Sequence, residues 1–401
     1  MRVVVCTVVH HPADARILHR QIRALLEAGH AVTYIAPLSA GRVPPTPGLT
    51  LAEVPRAMGR RRLGALRAAR RQLARYAPAA DLLLVHDPEL LLVLPLVRRR
   101  PATVWDVHED TAAALGTKAW LPAPLRRSVA AAMLAAERIA ERHLHLILAE
   151  TGYHERFAGT HPVVPNTTYV PGERAPYDGT ARVVYVGHIS PDRGAAEMAA
   201  LARLVRPYGV RVEIIGFADA QARAVLEPAA AAGLLTWHGY LPNDEAMRIT
   251  DGALAGLSLL RDDPNFRHSM PTKVAEYMAR GVPVITTPLP LAVDLVERHR
   301  CGFVVPFGGV AEAAAAVRAL ARDPSLRDAM GARGHQGASR YLRWPDDARA
   351  FVAQLERWAA ASGAPAPGAP AGQDTERNTG RPGPQAPPAD PASPVSARDG
   401  R

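Results

Sequence analysis

Residues 1 to 165 alternate short apolar runs with amphipathic stretches. Residues 2–9 are apolar on both faces, as expected of a strand covered on both sides of a sheet. Residues 15–28 carry apolar side chains at helical spacing and stop at Gly29, a residue that tolerates the left-handed conformation of a helix end. Further strands are predicted over 31–37, 82–85, 102–107 and 144–149, with helices from Pro88 and over 125–142. This order predicts an α/β fold, a doubly wound parallel sheet in a Rossmann-like domain spanning 1–165.

The pattern then repeats. Residues 166–180 lie in a stretch rich in Pro, Asn, Thr and Gly and read as a linker. Strands are predicted over 182–186, 211–215, 234–238, 256–260, 284–286 and 303–305 with helices between them, a second Rossmann-like domain over 181–342. Trp344 and Pro345 break the pattern, and a last helix covers 345–361. Residues 363–401 are Pro, Gly, Ala and Ser with scattered charge. They cannot bury enough apolar surface to fold and are expected to be disordered.

Composition narrows the class. The 401 residues are 48% hydrophobic and 21% charged, enough for two ordinary cores. Cys6 and Cys301 form no metal or disulfide pattern, which fits a reducing compartment. No basic-plus-apolar leader precedes the first strand, and the apolar run 82–97 is broken by His86, Asp87 and Glu89, so a cytoplasmic location is expected. The formal charge of +10 suggests an anionic partner. Nucleic acid is not expected, because aromatic interleaving and known nucleic-acid motifs are missing. Residues 60–76 combine an arginine-rich face with Leu63, Leu66, Leu73 and Tyr76 along one stripe. Such a helix either packs on the sheet or rests on an anionic membrane, here the inner face of the cell membrane.

The most informative chemistry lies in residues 269–286. A short helix is predicted after Pro271, ending at Gly281, with an apolar strand behind it. Lys273 and Glu276 are three apart and share a face. A cation near a helix start suits diphosphate oxygens, and a carboxylate one turn on suits ribose hydroxyls; an ordinary surface ion pair has the same spacing. Lys118 and Lys273 are the only lysines among 48 basic residues, so a compact ammonium beside Pro271 stands out against the arginine bias.

This segment resembles the donor-site signature of retaining glycosyltransferases of the GT-B fold, family 4 (glycosyl transferases group 1). Their usual form is a Glu, seven residues, a second Glu, then Ala-Met-Ala-x-Gly-x-Pro-Val. Glu276 matches the second Glu, which the resemblance makes the ribose ligand, and Lys273 matches a diphosphate ligand of a Pro-x-Lys variant. His268 stands where the first Glu would be. The resemblance implies two Rossmann-like domains facing across a cleft, with the last helix returning to the first domain. It also implies donor-sugar contacts from His268, Ser269, Met270, Pro271 and Thr272, largely through backbone N–H groups.

Other strand ends then acquire roles. Gly187, His188, Arg193 and Gly194 lie between a strand and the start of a helix, where exposed N–H groups and Arg193 form a phosphate cradle. Family members carry Gly-Arg, then Lys-Gly or Arg-Gly, so Arg193-Gly194 fits and His188 replaces the earlier Arg. Gly216, Tyr240 and Leu241 sit at the same sheet edge, where the resemblance places the nucleobase; Tyr240 could equally be a core aromatic. His108, flanked by Asp106, Glu109 and Asp110, is the best acid/base cluster of the first domain, with a structural histidine as the alternative. The resemblance makes His108 a hydrogen-bond partner of sugar or acceptor, assisted by Glu109. His86, Asp87 and Glu89 form a second polar cluster. Asp14 either meets the acceptor or caps the following helix.

Asp-x-Asp, Gly-x-Gly-x-x-Gly after a strand, and the phosphate-binding loop of NTPases are all missing from the chain. The expectation is a retaining hexosyltransferase using a nucleotide-diphosphate sugar as substrate and a hydroxyl acceptor (saccharide, lipid-linked sugar or small aglycone), with no metal or other cofactor. A sugar-nucleotide epimerase and a catalytically degenerate binding partner are the alternatives.

Overall fold

The computed structural model describes residues 1–41, 43–108, 123–267 and 270–363. The expectations for Glu109, His268, Ser269 and the tail from 364 lie outside the described residues.

Two parallel six-stranded sheets organise the chain. The first has the order β3-β2-β1-β4-β5-β6, built from β1 (Arg2–Cys6), β2 (Ala31–Ala36), β3 (Leu49–Glu53), β4 (Leu82–Val85), β5 (Ala102–Val107) and β6 (His145–Leu148). The second, β12-β11-β10-β7-β8-β9, uses β7 (Arg182–Val186), β8 (Arg211–Ile215), β9 (Thr236–Trp237), β10 (Ala255–Ser258), β11 (Val284–Thr286) and β12 (Gly302–Val304). Each sheet starts at its middle and reverses once, so each has a switch point, β1/β4 and β7/β10, where open α/β sheets bind ligands.

The double-sided strands behave as their apolar runs require. Val3 and Val5 of β1 face one core, with Tyr34, Leu84 and Val104, and Val4 and Cys6 face the other, with Ile35, Val85 and Trp105. In the second sheet Val183 and Tyr185 point one way, Val184 and Val186 the other. The helix Trp344–Gly363 sends Trp344, Phe351, Val352 and Leu355 into the first sheet's core. The chain reaches it beside the linker: Thr168 N donates to Leu342 O at 2.9 Å and Trp344 N to Thr168 O at 2.8 Å.

Three departures have clear causes. β3 was not predicted: it is an edge strand in which only Ala52 is buried, so it carries no alternation. The helix expected over 15–28 starts as a π-helical turn, Ile17–Ile22, before the α-helix Arg23–Glu27. Widened turns cluster at functional sites, and this one has Arg20 and Gln21 buried. The helix expected from Pro88 is two 3-10 segments, Pro88–Leu92 and Leu94–Leu96, with Pro95 denying an α-helical hydrogen bond.

In the helix Arg62–Tyr76, Ala65, Ala69 and Leu73 are buried, and Leu66 and Tyr76 pack against the same core. The apolar stripe therefore faces the chain's own sheet. Leu63 stays exposed, with Arg60, Arg61, Arg62, Arg67, Arg70, Arg71 and Arg75. No helix among the described residues is long and apolar enough to cross a membrane.

Candidate active site

At the second switch point the ladder opens. β7 and β10 pair only at Val183↔Ala255 and Val184↔Gly256. The Tyr277 hydroxyl bridges the gap, accepting from Val186 N at 3.0 Å and donating to Leu257 O at 3.2 Å. Gly256 is required beneath that ring, since a Cβ there would come within 2.3 Å of it. The crevice is floored by two more glycines. Gly187 has φ +127°, and a Cβ would meet the Lys273 side chain at 3.7 Å. Gly216 has φ +141°, and a Cβ would lie 1.9 Å from Gly187 O.

The helix Thr272–Ala279 delivers Lys273 and Glu276 to this crevice, both buried. Lys273 Nζ lies 5.0 Å from the Tyr185 ring centroid, and among the described residues no carboxylate is within ion-pair distance. Burial lowers its pKa, Arg193 adds to this and Glu276 opposes it, leaving the ammonium at about 7. Glu276 is raised by burial against the opposing charges of Arg20 and Lys273. Its Oε1 lies 3.4 Å from Asn243 Nδ2 and 3.8 Å from the guanidinium of Arg20. Gly194, at φ +86°, starts the helix Ala195–Val205 against Leu259 O, where a Cβ would approach to 2.4 Å. Arg193 stacks 5.6 Å from the Phe266 ring. His188 is exposed and stacked on Phe217, ring centroids 6.0 Å apart.

The first switch point is a histidine–carboxylate network. Asp87, past β4, ties down the diverging end of β1: its Oδ2 accepts from Thr7 Oγ1 at 2.9 Å and from the N–H groups of Val8 and Val9. His10 Nε2 lies 3.1 Å from Asp87 Oδ1 and 3.0 Å from His108 Nε2. Burial would raise the Asp87 carboxyl, but the hydrogen bond and charge of His10 bring it down to about 2. His108 Nδ1 sits 3.0 Å from Asp106 O, where only an N–H can serve, so Nδ1 donates there and Nε2 faces His10.

Asp106 anchors the group from β5. It is fully buried and takes two charge-assisted bonds from Arg16, Nε at 2.7 Å and a terminal nitrogen at 2.6 Å, plus Gln21 Nε2 at 3.0 Å. Burial alone would raise its carboxyl; the Arg16 charge and hydrogen bonds hold it well below the usual range. His86 Nδ1 lies 3.1 Å from Asp106 Oδ2 but out of hydrogen-bonding alignment. His86, Asp106 and His108 form a cluster of potential metal ligands, with ligand atoms within 4.8 Å of one another. Arg16 already neutralises its single carboxylate, so Asp106 is engaged by a guanidinium and the set leaves two imidazoles without a free carboxylate for a metal ion.

Contacts across the cleft include Arg20 with Glu276, His11 with Tyr240 at 5.5 Å between ring centroids, and Glu150 Oε1 accepting from Met270 N at 3.1 Å. The strand-end groups at Gly187, Arg193, Gly216, Tyr240, Met270, Lys273 and Glu276 thus come to one crevice, with His108 on the opposite wall. Tyr240 is 54% exposed, whereas Leu241 packs on a core. Asp14 caps the turn after it, its Oδ1 accepting from Arg16 N at 2.8 Å and Ile17 N at 3.0 Å. Sequence reasoning places the loop 10–16 at the cleft but gives an individual role there only to Asp14, not to His10 or Arg16, and it misses Arg20, Asn243 and Glu150. In an arginine-rich chain the one signal for Arg16 and Arg20 is their helical spacing, four residues apart.

Residues 180–323 match the family model described as glycosyl transferases group 1. A search of curated proteins finds no match. Among solved structures, sucrose-phosphate synthase from Thermosynechococcus elongatus superposes with a TM-score of 0.70 at 17% identity, over 90% of this chain and 100% of that one. HepE from Anabaena, in complex with UDP-glucose, gives 0.66 at 15% identity, over 89% and 100%. WaaG, a glycosyltransferase of lipopolysaccharide biosynthesis, gives 0.63 at 14%, over 88% and 98%. Residues 180–323 thus match the glycosyl transferases group 1, and the chain has the two-sheet GT-B fold of these glycosyltransferases.

Proposed function

We propose that the chain moves a hexose-type sugar, with retention, from a nucleoside diphosphate to a hydroxyl acceptor in the assembly of a polysaccharide, glycolipid or other glycoconjugate. The observation that carries the donor half is Lys273: a buried ammonium without an ion pair, beside a glycine-floored crevice at a switch point. A buried cation lacking its anion is costly, and a diphosphate supplies that anion. In this reading Lys273, Arg193 and the helix start after Gly194 hold the diphosphate and stabilise charge on the leaving nucleotide. Gly187 and His188 line the same cradle. Glu276 holds the ribose, displacing Arg20. Tyr240, Leu241 and Gly216 flank the base, and Met270, Pro271 and Thr272 face the sugar.

His108 offers a hydrogen bond to sugar or acceptor. The acceptor proton passes to the leaving phosphate, so His108 need not be a nucleophile. Asp14 lies on the acceptor side. HepE was solved with UDP-glucose, so UDP is the first nucleotide to try. Calorimetry with UDP, GDP, dTDP and ADP is expected to show one binding in the range typical of enzyme substrates. Binding by none of the four would sink the proposal.

The exposed arginines of 60–75 extend it to an anionic membrane surface. With the apolar stripe turned inward, that contact rests on charge. Co-sedimentation with phosphatidylglycerol vesicles should vanish at high salt and on changing Arg67, Arg70 and Arg71 to Glu. Vesicle binding that survives both treatments, or none at low salt, removes the membrane role.

A further inference from the structure

We infer that Glu150 is a donor-sugar residue: one carboxylate oxygen holds the Met270 N–H across the cleft, and the other accepts from a hydroxyl of the transferred sugar. The inference rests on the donor site proposed above.

Glu150 follows β6, and β6 pairs with β5 at Val107↔Leu148, so Glu150 and His108 leave neighbouring strand ends on the same wall. The residue is 8% exposed, more than nine-tenths buried. Its Oε1 accepts from Met270 N at 3.1 Å, and the carboxylate makes no second hydrogen bond among the described residues. The nearest compensating charge is Arg16, which already spends four of its five N–H bonds on Asp106, Val164 O and Asn166. Burial raises the Glu150 carboxyl to about 7, opposed by the Met270 N–H and the Arg16 charge.

A buried carboxylate with an open oxygen is expensive unless a ligand supplies the donor. Met270 is three residues before Lys273, so a sugar extending from the diphosphate toward the first domain passes this carboxylate. Residues 264–275 contain no Asp or Glu, and Glu150 brings a carboxylate to this stretch from the opposite wall. Sugar hydroxyls donate well to carboxylates, and an oxygen fixed by a backbone N–H leaves its partner oriented.

The test compares Glu150→Ala and Glu150→Gln with the parent chain, using UDP and UDP-glucose, or the corresponding pair for whichever nucleotide binds. The variants should bind the free nucleotide within about twofold of the parent. They should lose about 10- to 100-fold in affinity for the nucleotide sugar and in kcat/KM for its hydrolysis, with Gln losing less than Ala. If Glu150 only positions the loop, nucleotide and nucleotide sugar weaken together, and the inference is overturned. An unchanged ratio of the two affinities overturns it as well, even with nucleotide binding intact. A parent chain that binds no nucleotide removes the donor site itself, and this inference with it.

Discussion

Replacing Lys273 by Met is expected to weaken nucleoside diphosphate binding by about 10- to 100-fold, because charge-assisted hydrogen bonds to a buried anion are among the strong polar contacts. Met keeps the apolar stem that fills the space beside Gly187 and Tyr185, so the change isolates the ammonium. The effect should depend on pH. With its pKa near 7 in the empty site, Lys273 loses its proton above neutrality, and a bound diphosphate raises that pKa again. Affinity should therefore fall as pH rises above 7, and binding at pH 8 should take up a proton. Calorimetry in buffers of different ionisation enthalpy measures that uptake, and Lys273→Met should abolish it. The folding linkage has its own sign. The folded pKa is below the unfolded value, so between about 7 and 10 the unfolded chain binds more protons and this group makes stability rise with pH. Nucleotide binding by Lys273→Met equal to that of the parent, with the same proton uptake, would remove the lysine from the diphosphate site.

Asp106→Asn should cost about 3–5 kcal/mol of folding stability, the usual result of stripping one partner from a buried charge pair. Arg16 would remain 5% exposed with its strongest acceptor neutralised. A thermal midpoint lower by about 5 °C is the corresponding signature. Adding Arg16→Met should recover part of the loss, because neither buried charge then lacks its partner. The acid limb follows from the depressed carboxyl: the stabilisation is present above the unfolded pKa and disappears as pH falls through the lower folded value. Urea titrations at neutral pH and below pH 4 would show it, and Asp106→Asn should lack that dependence. A cost under about 1 kcal/mol would mean that the pair is not the anchor of this wall.

The single chain already specified much of the scaffold. Runs such as 82–85 and 182–186 are apolar on both faces, a pattern only a strand buried in a parallel sheet needs, and they were read at their observed bounds. Lys273 and Glu276 were legible because a helix of known start and stop makes their spacing a shared face. Edge strand β3 was not legible, because exposure leaves its side chains free of any pattern.

Local pattern determined which segments became strands and helices and which strand ends carried polar groups. Tertiary structure decided which ends met. Glu150 and Met270 are 120 residues apart, Arg16 and Asp106 are 90 apart, and nothing in either neighbourhood names its partner. A π-helical turn, seen only once the chain is packed, carries the buried Arg20 toward Glu276. Periodicity follows from the local geometry of the backbone, whereas the pairing of distant polar groups depends on burial, which exists only after the two sheets have closed on their cores.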